Sequence, residues 1–255
     1  MGDALTRTHA VITGGGTGIG AAIAQLLADA GAKITLVGRR SAPLLDIAST
    51  IAGAHTVQAD VTSREQVDAA FASARAAHGP ITILVANAGQ ALTAPFAKSG
   101  FDDWRRLMAI NIDALHHLAQ AALPDLLAAP AGRIVTIAST AGLRGYAYAT
   151  AYCAAKHGAI GLTRALALEL AKTRVTVNAV CPGFTETDLV STSIETIMAR
   201  TGRTADEARA ELARFSPQGR LIQPAEVAAA VLFLCRPDAA SITGQAISVS
   251  GGETM

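Results

Sequence analysis

Short β-branched segments alternate along the chain with longer Ala- and Leu-rich segments, and this alternation constrains the fold more than any other feature. The β-branched segments predict strands at 9–13, 33–38, 55–58, 81–88, 132–139, 174–181 and 246–250. The intervening segments have helical spacing and predict helices at 18–30, 42–52, 64–78, 102–129, 150–172 and 224–236. Strands and helices in this order form right-handed βαβ units. The sequence therefore predicts an α/β fold with one doubly wound parallel sheet.

Nothing in the sequence divides the chain into separate domains. Its 255 residues contain no Pro-, Ser- or charge-rich linker and no repeat of fixed period, so we expect one domain over 1–255. The stretch 185–215 departs from the alternation because it is polar and carries TGRTADEARAELARF at helical spacing. We interpret it as a small helical flap inserted before the last helix and strand, and a substrate lid is our hypothesis for it.

The composition argues against several classes of protein. A formal net charge of +1, without a basic stripe, indicates neither nucleic acid nor an anionic membrane surface as partner. No apolar run reaches the roughly 18 residues that span a bilayer, and no signal peptide is recognisable. The 3 cysteines are odd in number and widely separated, which indicates neither a disulfide framework nor a metal site. We expect a cytoplasmic protein that binds a small molecule and no metal.

A glycine-rich turn follows the first predicted strand. The segment TGGGTGIG opens an Ala-rich helix and includes Gly14, Thr17, Gly18, Ile19 and Gly20. Glycines let the backbone turn tightly and approach a pyrophosphate, and the helix N-terminus supplies N–H donors and the positive end of a dipole. A plain tight turn is the alternative, but the position between strand and helix favours a dinucleotide-binding loop.

The end of the second predicted strand bears on which dinucleotide binds. Folds selective for NAD usually place an acidic residue there to hold the ribose hydroxyls, but this sequence has Gly38 followed by Arg39 and Arg40. Two guanidinium groups suit a 2′-phosphate, so the pair predicts that NADP(H) is preferred and that NAD(H) is possible. A solvated helix start is the alternative for both arginines, and the neutral Thr17 does not strengthen the case for NADP.

Two further loops fall at the carboxyl edge of the predicted sheet, where ligands bind in this architecture. The first contains Asp60 and Val61, and the second contains Asn87, Ala88 and Gly89. The Asp60 carboxylate could accept a hydrogen bond from an adenine amino group, or it could cap the helix that follows. The small residues of the second loop would let the backbone lie against a nicotinamide.

Three residues in the second half of the sequence suit proton transfer to a carbonyl oxygen. Tyr152 and Lys156 are four residues apart, so a helix places them on one face, where the lysine would lower the pKa of the phenol. Ser139 ends the predicted fifth strand, and its hydroxyl could hold a substrate oxygen beside that phenol. An isolated pair of this kind would be an ordinary surface pair, but here it accompanies the serine and the glycine-rich turn.

With these motifs in this order, the chain resembles the short-chain dehydrogenase/reductase family along essentially its whole length, from TGGGTGIG to the closing VSGGETM. The resemblance implies a Rossmann-like fold and NAD(P)-dependent hydride transfer between a ketone and a secondary alcohol. It implies that Ser139, Tyr152 and Lys156 are catalytic. It adds Asn111 of MAINIDA, whose backbone carbonyl would hold a water that relays protons to Lys156. A helix-bending polar residue is the alternative for Asn111.

The resemblance also assigns further cofactor contacts. Asn87, Ala88 and Gly89 would line the cofactor, as would Tyr152 and Lys156. The segment PGFTET would wrap the nicotinamide carboxamide, with contacts from Pro182, Gly183, Thr185 and Thr187.

The substrate is indicated only by the resemblance. The segments SPQGRL, PAEVAAAVLFL and ITGQAISVSGG resemble those of 3-oxoacyl thioester reductases and polyketide ketoreductases, which implies a 3-oxoacyl or 3-hydroxyacyl thioester. An NAD-dependent alcohol or sugar dehydrogenase is one alternative, and a dinucleotide-binding regulator without turnover is another. The family resemblance further implies a homotetramer or homodimer.

Overall fold

Seven parallel strands form one sheet in the order β3-β2-β1-β4-β5-β6-β7 in the computed structural model, which describes residues 4–254. Their bounds are β1 His9–Thr13, β2 Lys33–Gly38, β3 His55–Gln58, β4 Ile83–Ala86, β5 Gly132–Ile137, β6 Val175–Pro182 and β7 Ala246–Val249. Strands β1, β4, β5 and β6 are buried along their whole length, as central parallel strands covered on both faces must be. The predicted α/β class and parallel sheet are confirmed.

Nine α-helices connect or cover these strands in the described part of the chain. Their bounds are α1 Gly18–Asp29, α2 Ser41–Ala48, α3 Arg64–His78, α4 Phe101–Met108, α5 Ala114–Ala128, α6 Thr150–Glu169, α7 Asp188–Thr201, α8 Ala205–Ala213 and α9 Pro224–Cys235. The helix predicted at 102–129 is not one regular α-helix, because the π-helical segment Ala109–Asp113 lies between α4 and α5. The Asn111 side chain donates to the Leu107 carbonyl within this segment and so competes with the regular backbone ladder.

Alternate side chains of the central strands pack into two apolar cores, one on each face of the sheet. In β1, Ile12 packs with α1 and α9 on one face of the sheet, and Val11 packs with α3 and α5 on the other. Leu27 and Phe71, both fully buried, represent the two sides. Burial of one such side chain stabilises the fold by about 1.5–3 kcal/mol, so the two cores hold the sheet rigid beneath its loops.

The flap predicted at 185–215 contains the two helices α7 and α8. A capping box between Thr204 and Glu207 starts α8, and Gly202 in the left-handed conformation ends α7. The flap has its own small apolar cluster, whose members include Val190, Ile194 and Leu212. It is therefore a structured element, and it leaves the sheet directly after β6.

The strand order places the loops of interest together. The chain turns to β2 on one side of β1 and returns to β4 on the other side, which opens a crevice at the carboxyl ends of β1 and β4. No helix within residues 4–254 is both long and apolar enough to cross a membrane.

Candidate active site

A cavity of about 330 Å³ lies at the carboxyl edge of the sheet. Seven of the predicted cofactor-binding residues line it: Gly14, Thr17, Arg39, Arg40, Val61, Ala88 and Gly89. Its remaining lining residues are Gly16, Gly38, Pro43, Leu44, Ala59, Gln90 and Ile110. Four loops, which follow β1, β2, β3 and β4, thus form one site, as the strand order requires.

The glycine-rich turn has a backbone that other residues would strain or block. Gly14 and Gly18 have positive φ angles of 64° and 53°. A Cβ atom on Gly20 would overlap the carbonyl oxygen of Gly14, so only glycine allows α1 to start so close to β1. The first turn of α1 contains no acidic residue, and its positive end is therefore available to an anion. Thr17 occupies the N-cap position of this helix without a side-chain hydrogen bond to it, and Ile19 is the second residue of its first turn.

Asn87 holds the end of β4 against this turn. Its Nδ2 donates to the carbonyls of Thr13 and Gly14 at 2.9 and 3.2 Å, while Thr13 Oγ1 accepts from the backbone N–H groups of Asn87 and Ala88 at 3.0 Å. The side-chain amide of Asn87 thus forms hydrogen bonds with backbone carbonyls. The neighbouring Ala88 and Gly89 form part of the cavity wall.

Arg39 and Arg40 lie at the end of the cavity where the second strand ends. Both side chains are exposed, and neither forms an ion pair with an acidic residue of the described chain. Pro43 and Leu44, from the start of α2, complete this wall. No local sequence pattern marks these two residues as part of a site, because their role depends on how α2 packs against β2.

Asp60 does not cap the next helix, so that alternative is wrong. Ser63 caps α3 instead, and its side chain accepts from the Gln66 N–H. Asp60 Oδ1 accepts from the N–H and the hydroxyl of Thr62 at 2.9 and 2.8 Å. Partial burial raises the pKa of Asp60, but the Thr62 hydrogen bonds and the charge of Arg39 lower it overall. The carboxylate is thus ionised beside the cavity, while Val61 lines it.

The segment that follows β6 lies against the glycine-rich turn. Pro182 is the last residue of β6, and Gly183 packs against Ser250. Thr185 is buried and bridges to Ile222. Thr187 occupies the N-cap position of α7, and its hydroxyl donates to the Thr185 carbonyl at 3.2 Å. Its Cγ2 lies 3.0 Å from the position that a Cβ on Gly18 would take. The start of the flap therefore borders the dinucleotide loop, although it does not line the cavity.

Ser139, Tyr152 and Lys156 come together at the ends of β5 and α6. Ser139 caps a 3-10 turn, Thr140–Gly142, and its Oγ accepts from the Ala141 N–H at 3.1 Å. The hydroxyl proton of Ser139 thus remains available, and the Ser139 side chain lies near enough to the Tyr152 phenol to lower its pKa. The Lys156 ammonium donates to the Ile137 carbonyl at 2.9 Å and lies 5.7 Å from the Tyr152 ring centroid.

The pKa of Tyr152 is raised, which corrects the expectation that Lys156 would lower it. Burial raises the pKa of the phenol, and the Ser139 hydrogen bond lowers it by less. The lysine ammonium is directed at a backbone carbonyl. Burial lowers the pKa of Lys156 to about 8. The phenol is therefore protonated at neutral pH, and the lysine is close to its titration range.

Asn111 approaches the same place from the π-helical segment. Its Nδ2 donates to the Gln90 carbonyl at 2.9 Å, and its Oδ1 accepts from the Gln90 N–H at 3.3 Å. A Cβ on Gly89 would lie 2.8 Å from Asn111 Oδ1 and 3.5 Å from Lys156 Nζ. Gly89 thus separates the cavity from both side chains, and its lack of a side chain permits this close approach.

Two half-buried residues near this group were not predicted as site residues. Tyr146 packs in the same apolar cluster as Tyr152, and Glu253 hydrogen-bonds to Tyr146. They are far apart in sequence, and only the folded chain brings them together. Within residues 4–254, no group of three or more His, Cys, Asp and Glu side chains has an arrangement that could hold a metal.

Comparison with known proteins agrees with this geometry. The sequence matches the short chain dehydrogenase family over residues 8–197. The granaticin polyketide synthase putative ketoacyl reductase 1 of Streptomyces violaceoruber is 37% identical over 249 residues, which cover 95% of this chain and 92% of that protein. The D-beta-hydroxybutyrate dehydrogenase of Rhizobium meliloti (strain 1021) is 38% identical over 258 residues, with coverage of 98% and 99%.

A solved structure shows the same fold. A crystal structure of an actinorhodin polyketide ketoreductase variant with NADPH superposes with a TM-score of 0.92, at 34% sequence identity and 99% coverage of both chains. This chain belongs to the short-chain dehydrogenase family. It is an NAD(P)-dependent oxidoreductase that interconverts an alcohol and a carbonyl group, as the sequence predicted.

Proposed function

We propose that this enzyme reduces the keto group of a 3-oxoacyl thioester to a secondary alcohol, with NADPH as the preferred hydride donor. The observation that carries the proposal is the position of Ser139, Tyr152 and Lys156 beside the dinucleotide cavity. Gly89 lines that cavity, and Lys156 lies directly beside it: a Cβ atom on Gly89 would be 3.5 Å from Lys156 Nζ. Binding of the dinucleotide in the cavity would therefore bring its reactive end to these three residues.

The cavity suits a dinucleotide chemically. The glycine-rich turn leaves the N-terminus of α1 open to a pyrophosphate, and the Gly20 position tolerates no side chain. When bound, the nicotinamide supplies a hydride to the carbonyl carbon. Arg39 and Arg40 support the preference for NADPH, because both exposed side chains line the cavity and their guanidinium groups suit a 2′-phosphate.

Tyr152 is proposed as the proton donor. The raised pKa keeps its phenol protonated at neutral pH, so it can donate to the substrate oxygen as negative charge develops there. The Ser139 hydroxyl would hold the same oxygen, because its oxygen already accepts from Ala141 while its proton remains available. Two donors thus converge where the alkoxide forms.

Lys156 and Asn111 are proposed to restore the proton on Tyr152. The Lys156 pKa of about 8 lets its ammonium lose and regain a proton near neutral pH. Asn111 fixes the loop at Gln90 through both atoms of its amide, and its backbone carbonyl is proposed to hold a relaying water, as the family resemblance implies. Both side chains lie next to Gly89, which lines the cavity.

The names of relatives support the substrate class. A ketoacyl reductase and a polyketide ketoreductase both act on keto groups, in agreement with the thioester expected from the tail segments. The hydroxybutyrate dehydrogenase relative favours a second candidate, in which a free 3-hydroxy acid is oxidised with NAD. The two candidates differ in the acyl leaving group and in the dinucleotide, and both can be assayed.

We further propose a homotetramer or homodimer in the cytoplasm. Phe101 on α4, Leu127 on α5 and Leu168 on α6 are exposed apolar side chains that would support self-association. Cys153, Cys181 and Cys235 are free thiols, which suits a reducing compartment. Light scattering of the purified protein measures the oligomeric state, and one stable monomer would contradict this part of the proposal.

The test is oxidation of NADPH and of NADH, measured in parallel, with three substrates: a short 3-oxoacyl thioester, the free 3-oxo acid and a cyclic ketone. We expect turnover of the thioester with NADPH to exceed every other combination. Faster turnover of the free acid with NADH would favour the second candidate. Binding of dinucleotide without turnover of any substrate would contradict both.

A further inference from the structure

A chain of polar contacts joins the C-terminal segment to the turn that carries Ser139. Glu253 follows β7, and Tyr146 lies in the loop between β5 and α6. The Tyr146 hydroxyl lies 2.7 Å from Thr140 Oγ1 and also hydrogen-bonds to Glu253. Thr140 directly follows Ser139 and begins the 3-10 turn that Ser139 caps. The proposed chemistry gives no role to Tyr146, Thr140 or Glu253.

Tyr146 has only one hydroxyl proton, and this determines which of its two hydrogen bonds it donates. A carboxylate can only accept a hydrogen bond, so the Tyr146 hydroxyl donates its proton to Glu253. Burial raises the pKa of Tyr146 and keeps that proton in place at neutral pH. The Thr140 hydroxyl can then donate its own proton to the Tyr146 oxygen across the 2.7 Å between them. Bonds to a carboxylate are the stronger kind, so Glu253 is the anchor.

The ring of Tyr146 is fixed independently of its hydroxyl. It packs against Phe184 and Phe215 at the two ends of the flap, with ring centroids 6.2 and 5.8 Å away. The Arg144 guanidinium lies 5.2 Å from the ring centroid on this surface. A phenylalanine at 146 would therefore keep the ring in its packing and remove only the polar link between Thr140 and Glu253.

We propose that Glu253 is a positioning residue, which acts through Tyr146 and Thr140 to hold the Ser139 hydroxyl in hydrogen-bond reach of Tyr152. The inference rests on the proposed role of Ser139. The Ala141 N–H binds Ser139 Oγ from within the turn, and Ala141 and Gly142 pack against α6. The link to Glu253 adds a polar restraint at Thr140, which cannot rotate away without breaking that link.

The kinetic test uses Glu253→Gln, Tyr146→Phe and the double variant. Each single variant is expected to lower kcat by at least about tenfold and to leave the KM for NADPH within about twofold, because the dinucleotide cavity is untouched. The kcat of the double variant is expected to be no lower than that of the slower single variant, because all three variants interrupt the same series of hydrogen bonds. Matched controls are Glu65→Gln and Tyr148→Phe, whose exposed side chains lie outside these contacts. Unchanged kcat in both single variants, or additive losses, would overturn the inference.

A second measurement does not depend on turnover. Hydrogen exchange of the backbone amides at 141–144 is expected to be faster by about tenfold in both single variants, relative to the amides of β4 in the same protein. Unchanged exchange there would overturn the positioning role. If exchange rises but the unmodified enzyme turns over no ketone, the positioning role stands and the proposed function fails.

Discussion

Tyr152 has its phenol beside Ser139, and burial keeps the phenol protonated. If it is the proton donor, Tyr152→Phe removes the donor and leaves the dinucleotide cavity intact. We expect kcat to fall by at least about 10³-fold, with the Kd for NADPH unchanged within about threefold. Single-turnover kinetics and NADPH fluorescence measure the two quantities. Activity retained within about tenfold of the parent would show that another group donates the proton.

Lys156 gives the reaction a pH dependence of known sign. Its pKa is lowered to about 8, so the ammonium is present below pH 8 and is lost above it. If the ammonium restores the proton of Tyr152, kcat for reduction is constant below about pH 8 and falls about tenfold per pH unit above it. In Lys156→Arg the charge persists and this alkaline limb should move out of the accessible range. A pH profile with the same limb in both proteins would assign it to a different group.

Arg39 decides between the two dinucleotides if it contacts a 2′-phosphate. Arg39→Ala is expected to raise the KM for NADPH by about ten- to a hundredfold, since a charge-assisted contact is lost, and to change the KM for NADH by less than about threefold. Arg174→Ala, at an exposed position before β6, is the matched control. Equal increases for both dinucleotides would contradict the assignment.

At the scale of the elements, α1 can start where it does only because Gly20 has no side chain. Gly20→Ala places a Cβ against the Gly14 carbonyl, so we expect a loss of about 1–3 kcal/mol in the free energy of unfolding and at least about tenfold weaker NADPH binding. Gly161→Ala is the control, because that exposed position in α6 has no atom within 4 Å of an added Cβ. It should stabilise the protein by up to about 1 kcal/mol. Denaturant titrations measure both, and a neutral Gly20→Ala would contradict the packing described.

The sequence was sufficient to predict elements that follow from local pattern. The segment 64–78 was predicted with the bounds that α3 has, because its apolar residues recur at helical spacing. Its cap was not predicted, since Asp60 was the candidate and Ser63 caps the helix. The π-helical segment was not predicted, since it arises from contacts of Asn111 with Gln90 and Leu107 that spacing does not reveal. The raised pKa of Tyr152 was missed for the same reason. Burial depends on the whole fold, whereas the spacing of Tyr152 and Lys156 indicated only proximity.

At the scale of the whole molecule, the edge of the sheet opposite the cofactor cavity contains a histidine that couples stability to pH. His9 is buried at the start of β1, and its two ring nitrogens contact the Gly79 carbonyl and the Thr35 hydroxyl, each at 2.9 Å. It thus joins β1 to β2 and to the loop before β4. Burial lowers its pKa from 6.5 to about 4, although the Gly79 hydrogen bond opposes this.

The sign of the effect follows from proton binding. Between about pH 6.5 and pH 4 the unfolded chain binds a proton at His9 and the folded protein does not, so the stability present above pH 6.5 is lost as the pH falls toward 4. The loss attributable to this residue is about 3 kcal/mol. His9→Gln should be less stable than the parent at pH 7 but should lose less stability on acidification, whereas His116→Gln, at an exposed position on α5, should match the parent. Denaturant titrations across this pH range measure the difference. Parallel curves for His9→Gln and the parent would mean that His9 is not the titrating group and that acid acts elsewhere on the fold.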